Sequence, residues 1–317
     1  MRVVIVGAGV AGLAAARVLM EAGHEVVLFD KGRSAGGRLA TRRIGGATLD
    51  HGAQFFTVRS DVFAAEVAPH LASGLVYQWC RGFSGDDGYP RYAVRGGMNA
   101  LAKAMASSLD VRTSSLVFAI GSTAAGASHP WQVTLDDGSI HNADALVVTC
   151  PVPQSSSLLM SAGLELPSEL IRTDYDRTIA LLATLDRASA MQEPGGLQHP
   201  TEQLSFVTDN ALKGISAEPA LTVHAGAEWS AAHWGDDSAD IVSALSEAAA
   251  PYLGDAGITS SQVKKWRFAT PRTIWPERCW SPSGAPAPLV LAGDAFGGPK
   301  VEGAVLSGLA AAGALLG

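Results

Sequence analysis

The chain has 317 residues, a length typical of about two domains with a large buried core. Hydrophobic residues make up 47% of the chain and charged residues only 17%, which predicts an extensive apolar interior. The net charge of -7 at pH 7 argues against a general binder of nucleic acid or of anionic membranes. Cys80, Cys150 and Cys279 are isolated and lack metal-ligand or C-x-x-C spacing, which predicts reduced thiols and no metal site.

The first 30 residues have the pattern of a strand, a tight turn, a helix and a second strand. Val3–Val6 is a β-branched run typical of a buried parallel strand, and Gly7–Gly12 follows it as G-x-G-x-x-G before an alanine-rich stretch. The first glycine of such a motif permits the turn, the second lets the backbone approach a pyrophosphate, and the third allows close helix packing. Free N–H groups at the helix N-terminus then bind phosphate. Glu25–Phe29 predicts the second strand, and Asp30 ends it where an acid can bind ribose hydroxyls.

The middle of the chain alternates between strand patterns and irregular segments. Residues 96–105 predict a short helix, residues 61–92 are irregular, and Pro151–Pro153 marks a boundary. Asp237 caps an amphipathic helix that ends at Leu253, after which residues 263–269 are expected to return the chain to its first domain. Strand patterns occupy residues 111–120, 131–135, 145–149, 178–185, 204–208 and 221–225.

Short motifs near both ends of the chain together resemble the FAD-dependent amine oxidase superfamily. These motifs are Asp30-Lys31, Gly36-Gly37-Arg38, Leu291–Ala295 and Val301–Ala304. Within that superfamily, three further segments look like the bacterial branch of the renalase family: Asp50–Thr57, Val223–Ser230 and Trp266–Pro271. The resemblance runs through almost the whole chain and is weakest from about Ser155 to Ala220.

The resemblance implies an α/β fold with two domains. One is a glutathione-reductase-like, Rossmann-type FAD-binding domain, and the other is a substrate domain built on a mixed β-sheet plus helices. The implied FAD-binding domain comprises residues 1–60, 93–155 and 264–317, and the substrate domain comprises residues 61–92 and 156–263. Non-covalent binding of FAD is expected, because none of the three cysteines lies in the C-terminal flavin motif.

The family also implies which residues hold FAD. Gly37 and Arg38 resemble a second phosphate contact, in which glycine brings the backbone close and a guanidinium forks onto phosphate oxygens. Val117 matches the position whose backbone meets the adenine, and Asp294 matches the acid on the ribityl or pyrophosphate region. The implied FAD contacts are Gly7, Gly9, Ala11, Gly12, Asp30, Lys31, Gly37, Arg38, Gln54, Phe55, Val117, Asp294, Val301, Glu302 and Gly303.

The last helix carries the implied chemistry. If it begins at Val301–Gly303, its free N–H groups and its dipole place positive charge there. In the family this charge faces the flavin edge that becomes negative on reduction, which favours hydride acceptance. Amine-oxidising relatives pair the flavin with an aromatic cage and a lysine, but Lys264, Lys265 and Lys300 do not stand in convincing positions for that role.

Renalase-like enzymes are associated with the 2- and 6-dihydro isomers of NAD(P)H. Such a donor becomes an aromatic pyridinium as it loses hydride, so the protein mainly has to stack the ring. No general base is required, and no catalytic side chain is assigned. The resemblance therefore implies an oxidase that produces NAD(P)+ and reduces molecular oxygen to hydrogen peroxide.

Substrate contacts are predicted among aromatic, amide and imidazole side chains, which suit a flat ring that carries a carboxamide. The segment with His51 and Gln54 is expected to lie along the flavin, and Arg91, Arg95 and Arg267 are candidates for the substrate's phosphates. The substrate candidates are His51, Gln54, Tyr92, His224, Trp234 and Trp275.

Other functions stay open at this point. An amine oxidase or a carotenoid-type desaturase would need an amine cage or a long apolar tunnel, which the weakly matched middle third could conceal. A non-enzymatic binding protein of this fold, similar to the GDP-dissociation inhibitors, would not use flavin, and the retained glycine motifs argue against it. No apolar span reaches about 18 residues, so a cytoplasmic protein without nucleic-acid or membrane partners is expected. Oligomeric state and the NAD or NADP form of the substrate stay open.

Overall fold

A computed structural model describes residues 1–83, 85–124 and 126–317 of the chain. The helices are α1 (Val10–Glu21), α2 (Asp61–Ala72), α3 (Asn99–Met105), α4 (Val152–Ser161), α5 (Ser168–Ile171), α6 (Ala227–Ala232), α7 (Ser238–Leu253) and α8 (Lys300–Leu316). The strands are β1 (Arg2–Val6), β2 (Glu25–Phe29), β3 (Thr41–Ile44), β4 (Ala47–Asp50), β5 (Val76–Cys80), β6 (Arg91–Val94), β7 (Asp110–Arg112), β8 (Val117–Ser122), β9 (Trp131–Leu135), β10 (Ile140–Ala143), β11 (Ala145–Val148), β12 (Tyr175–Leu185), β13 (Gly196–Gln198), β14 (Leu204–Asp209), β15 (Ala220–Ala225), β16 (Ile258–Pro271) and β17 (Leu289–Leu291).

The chain divides into two compact units, each built from separated segments. The first unit comprises Met1–Gly37, Ala102–Asp174 and Pro271–Gly317, and the second comprises Arg38–Leu101 and Tyr175–Thr270. These bounds differ from the sequence-based domain bounds. Residues 38–60, 93–101 and 264–270 lie in the second unit, and residues 156–174 lie in the first.

The first unit is built on a parallel sheet with the strand order β17-β11-β1-β2-β7. Its central strand β1 contains Val3–Ile5, which are fully buried, as expected for a strand covered on both faces. Helices α1 and α8 pack closely at Gly308, where an added Cβ would lie 2.1 Å from the Ala11 carbonyl oxygen. The predicted start of the fold, with its strand, turn, helix and strand, is confirmed.

A small antiparallel sheet, ordered β10-β9-β8, completes the first unit. The prediction of one strand region over residues 111–120 is wrong. The segment forms two strands in different sheets, because β7 joins the parallel sheet and β8 pairs with β9. Ser114 lies between them with φ 53°, a left-handed conformation that breaks the extended run.

The second unit is built on a sheet with the order β13-β14-β15-β12-β16. One face packs against α7 through a cluster that includes Leu181, Val223 and Leu245, and the other face packs Leu182 against Leu49 of β4. Alternate residues of these strands therefore pack into two different hydrophobic clusters, one on each face of the sheet. The helix over residues 238–253 is confirmed, and the Asp237 carboxylate accepts hydrogen bonds from Ala239 and Asp240 N–H.

Two predictions about this unit are wrong. The described part of residues 61–92 is not irregular throughout: Ser60 caps α2, and β5 pairs with β6 in an antiparallel arrangement. Residues 263–269 do not leave the unit, because they continue the edge strand β16. In the described ranges, no helix has both the length and the apolar character needed to span a bilayer.

Candidate functional site

The glycine turn after β1 has the geometry that a bound pyrophosphate requires. Gly7 has φ 103°, which favours glycine, and an added Cβ there would lie 2.6 Å from Thr149 Oγ1. A Cβ on Gly12 would lie 2.0 Å from the Gly7 carbonyl oxygen, so only glycine lets α1 approach the turn. Among the described residues, a Cβ on Gly9 would meet no heavy atom within 4 Å. The open side of Gly9 is therefore where a ligand's phosphates can approach the backbone.

The N-terminus of α1 adds a favourable field for an anion. No side chain of the described residues caps this helix, and its first turn contains no acidic residue. The uncapped N–H groups and the helix dipole both attract negative charge. These observations show that the first unit fits a dinucleotide phosphate.

Asp30 holds the glycine turn as well as ending β2. One carboxylate oxygen accepts the Ala8 N–H at 2.7 Å and the other accepts the Gly32 N–H at 2.6 Å. A carboxylate oxygen can accept more than one hydrogen bond, so Asp30 keeps acceptor capacity for ribose hydroxyls, and that contact stays a prediction. Lys31 follows it as an exposed side chain.

The second glycine pair lies directly against the first turn. Gly36 donates its N–H to the Ala8 carbonyl at 2.8 Å, and an added Cβ on Gly37 would lie 3.5 Å from the Gly9 Cα. Arg38 belongs to the second unit, where its guanidinium donates to the Ala269 carbonyl at 3.1 Å. Its assignment as a phosphate contact stays a prediction.

The C-terminal motif forms a second loop in the first unit. Asp294 follows β17 and is buried, and the preceding Gly293 N–H donates to the Ser307 hydroxyl of α8 at 2.8 Å. Helix α8 begins at Lys300, so Val301 and Glu302 lie in its first turn as expected. Gly303 packs against Gly298, whose carbonyl oxygen would lie 1.9 Å from a Cβ added to Gly303. No side chain caps this helix start.

Val117 begins β8 and is buried. The chain before it is tied to the end of β2, because the Ser115 N–H donates to the Asp30 carbonyl at 2.9 Å and the Ser114 N–H donates to the Gly32 carbonyl at 2.7 Å. Val117 therefore lies on the side of the first unit that also holds Asp30. Its predicted adenine contact is compatible with that placement.

In the second unit, His51, His224 and Trp266 form one group around a carbonyl. The His51 carbonyl accepts the Trp266 indole N–H at 2.7 Å and a His224 ring N–H at 3.2 Å. The His51 ring stacks on Trp266 with centroids 5.4 Å apart. Trp266 was part of a matching motif in the sequence but was not predicted as a site residue.

Two buried polar atoms in this segment have no hydrogen-bond partner in the structure, His51 Nδ1 and Gln54 Oε1. Gln54 is 6% exposed, and its amide nitrogen donates to the carbonyls of Asp50 and Gly52. Because the nitrogen already makes these contacts, the unpartnered oxygen is available only as an acceptor. Buried polar atoms without partners are costly, so these two atoms indicate a place for a ligand's polar groups.

Both histidines of this group are neutral at pH 7. Burial, followed by the charges of Lys264 and Arg42, lowers the pKa of His51 to about 4. Burial also lowers the pKa of His224 to about 4, although its hydrogen bond to the His51 carbonyl opposes the change. Neither ring is an effective general base or a cation near neutral pH.

We expect two of the eight histidine rings to keep neutral-form NMR shifts down to about pH 5. The folded-state pKa lies below the unfolded value of 6.5, so the folded protein binds fewer protons than the unfolded chain. The free energy of unfolding should consequently fall as pH decreases from about 6.5 to 4, by on the order of 3 kcal/mol per ring. His51→Gln and His224→Gln variants assign the two signals. Titration of all eight rings near pH 6.5 would contradict this description of the site.

The other predicted substrate residues are dispersed. Tyr92 stacks on buried Phe56 with ring centroids 5.7 Å apart. Trp234 packs on the α7 side of the sheet with Arg177, so the structure does not bring it together with His224. Trp275 belongs to the first unit, where it pairs with Phe296, and its buried indole nitrogen has no partner in the structure.

The three arginines predicted as phosphate contacts have neighbours within the second unit. Arg91 forms a forked ion pair with Asp87, and Arg95 donates to the Gly74 carbonyl at 3.0 Å. The Arg267 guanidinium lies 5.6 Å from the Phe268 ring centroid. Their assignment to substrate phosphates stays a prediction.

An ion pair that the sequence did not indicate lies beneath this segment. Lys213 Nζ is 2.7 Å from Asp50 Oδ2, and both side chains are fully buried. The other carboxylate oxygen of Asp50 accepts the Thr41 hydroxyl and the Met98 N–H. Burial lowers the pKa of Lys213, and its attraction to Asp50 opposes that change. The ion pair therefore holds Asp50 in place, directly before the segment that contains His51 and Gln54.

A cluster of aromatic rings lies next to Lys213. The Lys213 ammonium is 5.3 Å from the Trp79 ring centroid, and Phe83 packs between Trp79 and Phe206. Phe55, an implied FAD contact, joins this cluster with its ring 5.2 Å from Phe83. The position of Phe55 within the second unit is thus determined by ring packing.

Comparison with known families decides the class of the protein. A model of NAD(P)-binding Rossmann-like domains matches residues 5–65. A model of flavin-containing amine oxidoreductases matches residues 62–316, well over half of the chain. The chain belongs to the flavin-containing amine oxidoreductase family. Membership of this family implies a flavin cofactor and an oxidoreductase function, in agreement with the glycine turn of the first unit.

Curated relatives match over a short segment. A protein assigned as the flavin-containing monoamine oxidase AofH of Mycobacterium tuberculosis is 48% identical over 63 residues, and hydroxyneurosporene desaturase of Rubrivivax gelatinosus is 43% identical over 67 residues. The matches cover 20% of this chain but only 14% and 13% of those proteins. The relatives that match this segment are thus named for different activities.

Solved structures of similar fold match along the whole chain. A protein from Exiguobacterium sp. 255-15 assigned as a protoporphyrinogen oxidase has a TM-score of 0.73 at 14% identity, covering 99% of this chain and 98% of that chain. Putrescine oxidase bound to putrescine has a TM-score of 0.73 at 18% identity, with coverage of 100% and 99%. At these identities the likeness establishes the fold. The α/β architecture implied by the sequence is therefore confirmed.

Proposed function

We propose that this protein is an oxidase with non-covalently bound FAD that acts on the 2- and 6-dihydro isomers of NAD(P)H, as the renalase family does. The observations that carry the proposal are the unpartnered acceptor Gln54 Oε1, the unpartnered ring nitrogen of the neutral His51 and the Trp266 ring on which His51 stacks. A carboxamide has N–H donors for the Gln54 oxygen and both donor and acceptor atoms for an imidazole nitrogen, and an indole suits a flat ring. The products are NAD(P)+ and hydrogen peroxide.

The first unit supplies the binding of the cofactor. The backbone at Gly7, Gly9 and Gly12 and the uncapped start of α1 would hold the pyrophosphate, and Asp294 with the first turn of α8 would contact the other half of FAD. Bound FAD would supply a two-electron acceptor for hydride, with molecular oxygen as the final electron acceptor.

The second unit supplies orientation without acid or base chemistry. A dihydronicotinamide isomer loses hydride without losing a proton to the protein, so the low pKa values of His51 and His224 are compatible with the reaction. The Gln54 amide oxygen fixes the carboxamide, since its own nitrogen is held by the Asp50 carbonyl. The residues bind and orient the ring and exclude competing orientations.

Amine oxidation is the second candidate, because Gln54 Oε1 would equally accept an amine N–H. The relatives include proteins named as monoamine oxidase and putrescine oxidase. An amine must be deprotonated before it is oxidised, and the neutral histidines are weak bases for that step. Lys213, a buried lysine of this unit, is committed to an ion pair with Asp50.

Oxygen uptake separates the two candidates. The FAD-loaded protein is supplied in air with ordinary NADH, with its 2- and 6-dihydro isomers, and with a panel of primary amines and polyamines. We expect oxygen uptake and an equal amount of peroxide with the isomers only. Uptake with an amine, without uptake with the isomers, would transfer the assignment to amine oxidation.

A further inference from the structure

A row of side chains extends from the His51 group along one face of the edge strand β16. Alternate residues of a strand share a face, so Gln262, Lys264 and Trp266 lie in line. The row is anchored at both ends, because the Trp266 indole donates to the His51 carbonyl and the Gln262 amide oxygen accepts from Arg42 Nε at 3.2 Å. Lys264 stands between these anchors.

The neighbouring residues of β16 face the other side of the sheet. Val263 packs in the cluster beneath α7, and the Lys265 ammonium donates to the carbonyls of Trp234 and Asp236, each at 2.8 Å. Two adjacent lysines therefore lie on opposite faces. Only Lys264 belongs to the face that carries His51.

The row has a positive end. Arg42 is exposed, and the partner recorded for its Nε is a neutral amide, which leaves its charge unneutralised by that contact. The charges of Lys264 and Arg42 both act on the His51 ring and lower its pKa. The face thus carries the neutral His51 ring at one end and the two cations Lys264 and Arg42 toward the other.

We propose that Arg42 and Lys264 form an anion subsite that binds the phosphate of the dinucleotide substrate whose ring lies at His51 and Gln54. This inference rests on the proposed function and specifies how the substrate is recognised. Lys264 is two residues from Trp266, about 7 Å along the strand, a separation on the scale of the ribose that joins a ring to its phosphate. Arg42 lies one step further, beside Gln262, where it can fork onto the same or the next phosphate.

The subsite also gives a reason for substrate choice. Two cations attract a phosphate and repel a protonated amine, so the face favours nucleotides over amines. None of Arg91, Arg95 and Arg267, the arginines considered from the sequence, is needed for this recognition.

Calorimetric titration of the FAD-loaded protein with nicotinamide mononucleotide and with nicotinamide riboside tests the inference, because the two probes differ only in the phosphate. We expect Arg42→Met and Lys264→Met each to weaken binding of the mononucleotide about tenfold and to leave binding of the riboside unchanged. The salt dependence of mononucleotide binding should decrease in both variants. Lys265→Met and Arg43→Met are the matched controls and should bind as the wild type does.

Equal binding of the mononucleotide by wild type and by both variants would overturn the inference, as would parallel weakening of both probes or no binding by the wild type at millimolar concentration. The result is independent of turnover. If the dihydro isomers are not oxidised but mononucleotide binding depends on Arg42 and Lys264, the anion subsite stands and the proposed reaction fails.

Discussion

Replacing Lys213 with methionine is expected to lower the free energy of unfolding by about 3–5 kcal/mol. The substitution removes the cation of a fully buried pair and leaves the Asp50 carboxylate without its 2.7 Å partner. A buried charge without a partner is more costly than either an intact pair or an apolar replacement. Urea denaturation at pH 7 measures the effect directly.

The double variant Asp50→Asn with Lys213→Met is the informative control. An asparagine oxygen can still accept the Thr41 hydroxyl and the Met98 N–H, which both bond to the same oxygen of Asp50. We expect the double variant to recover more than half of the lost stability, because no charge remains buried. Arg187→Met removes a cation from an exposed ion pair and should change stability by less than about 1 kcal/mol. A stable Lys213→Met single variant would contradict the assignment of a buried pair.

Gly9→Ala should leave the protein folded and weaken FAD binding on the order of 100-fold. Gly9 has φ -72°, which alanine adopts readily, and an added Cβ would meet no heavy atom of the residues that the structure describes within 4 Å. The same methyl group would occupy the space through which a pyrophosphate approaches the backbone. Apoprotein unfolding and a fluorescence titration with FAD measure the two effects separately.

Gly12→Ala provides the contrast to this result. Its Cβ would lie 2.0 Å from the Gly7 carbonyl oxygen and 3.1 Å from Thr149 Oγ1, so α1 must shift on the sheet. We expect both stability and FAD binding to decrease, because overpacked backbone contacts cost about 1–3 kcal/mol or more. Wild-type affinity for FAD in Gly9→Ala would show that the pyrophosphate does not bind at this turn.

The start of the fold could be predicted because its signals are local. β-branched residues in β1, glycines at fixed spacing and the acid after β2 each constrain the backbone within a few residues of themselves. The same holds for α7, where Asp237 caps the helix and the chain ends its helical pattern at Leu253. Such features need no knowledge of distant contacts.

The candidate site was only partly predictable, because its partners are far apart in the chain. Asp50 and Lys213 are separated by 163 positions, and His51 and Trp266 by 215. Neither Lys213 nor Arg42 lies in a sequence motif that predicts a site residue. Their roles follow from Asp50 and Gln262, the distant residues that the fold brings beside them. His51 and Gln54 were found through the motif that surrounds them, not through their contacts.

The incorrect predictions for residues 111–120 and 263–269 have a physical cause as well. Residues 111–120 look like one strand because the left-handed conformation of Ser114 leaves no clear mark in the sequence. Residues 263–269 carry an alternating pattern that is compatible with either unit, and only the neighbouring strand β12 decides which sheet they join. Pairing between distant segments is a tertiary property that periodicity does not contain.

Anaerobic absorbance of the FAD-loaded protein tests the central claim most directly. One equivalent of the 2- or 6-dihydro isomer of NADH should bleach the flavin band rapidly and yield one equivalent of NAD+, whereas ordinary NADH and primary amines should not. Admission of air should restore the band and produce hydrogen peroxide. Bleaching by an amine with no response to the isomers would contradict the account.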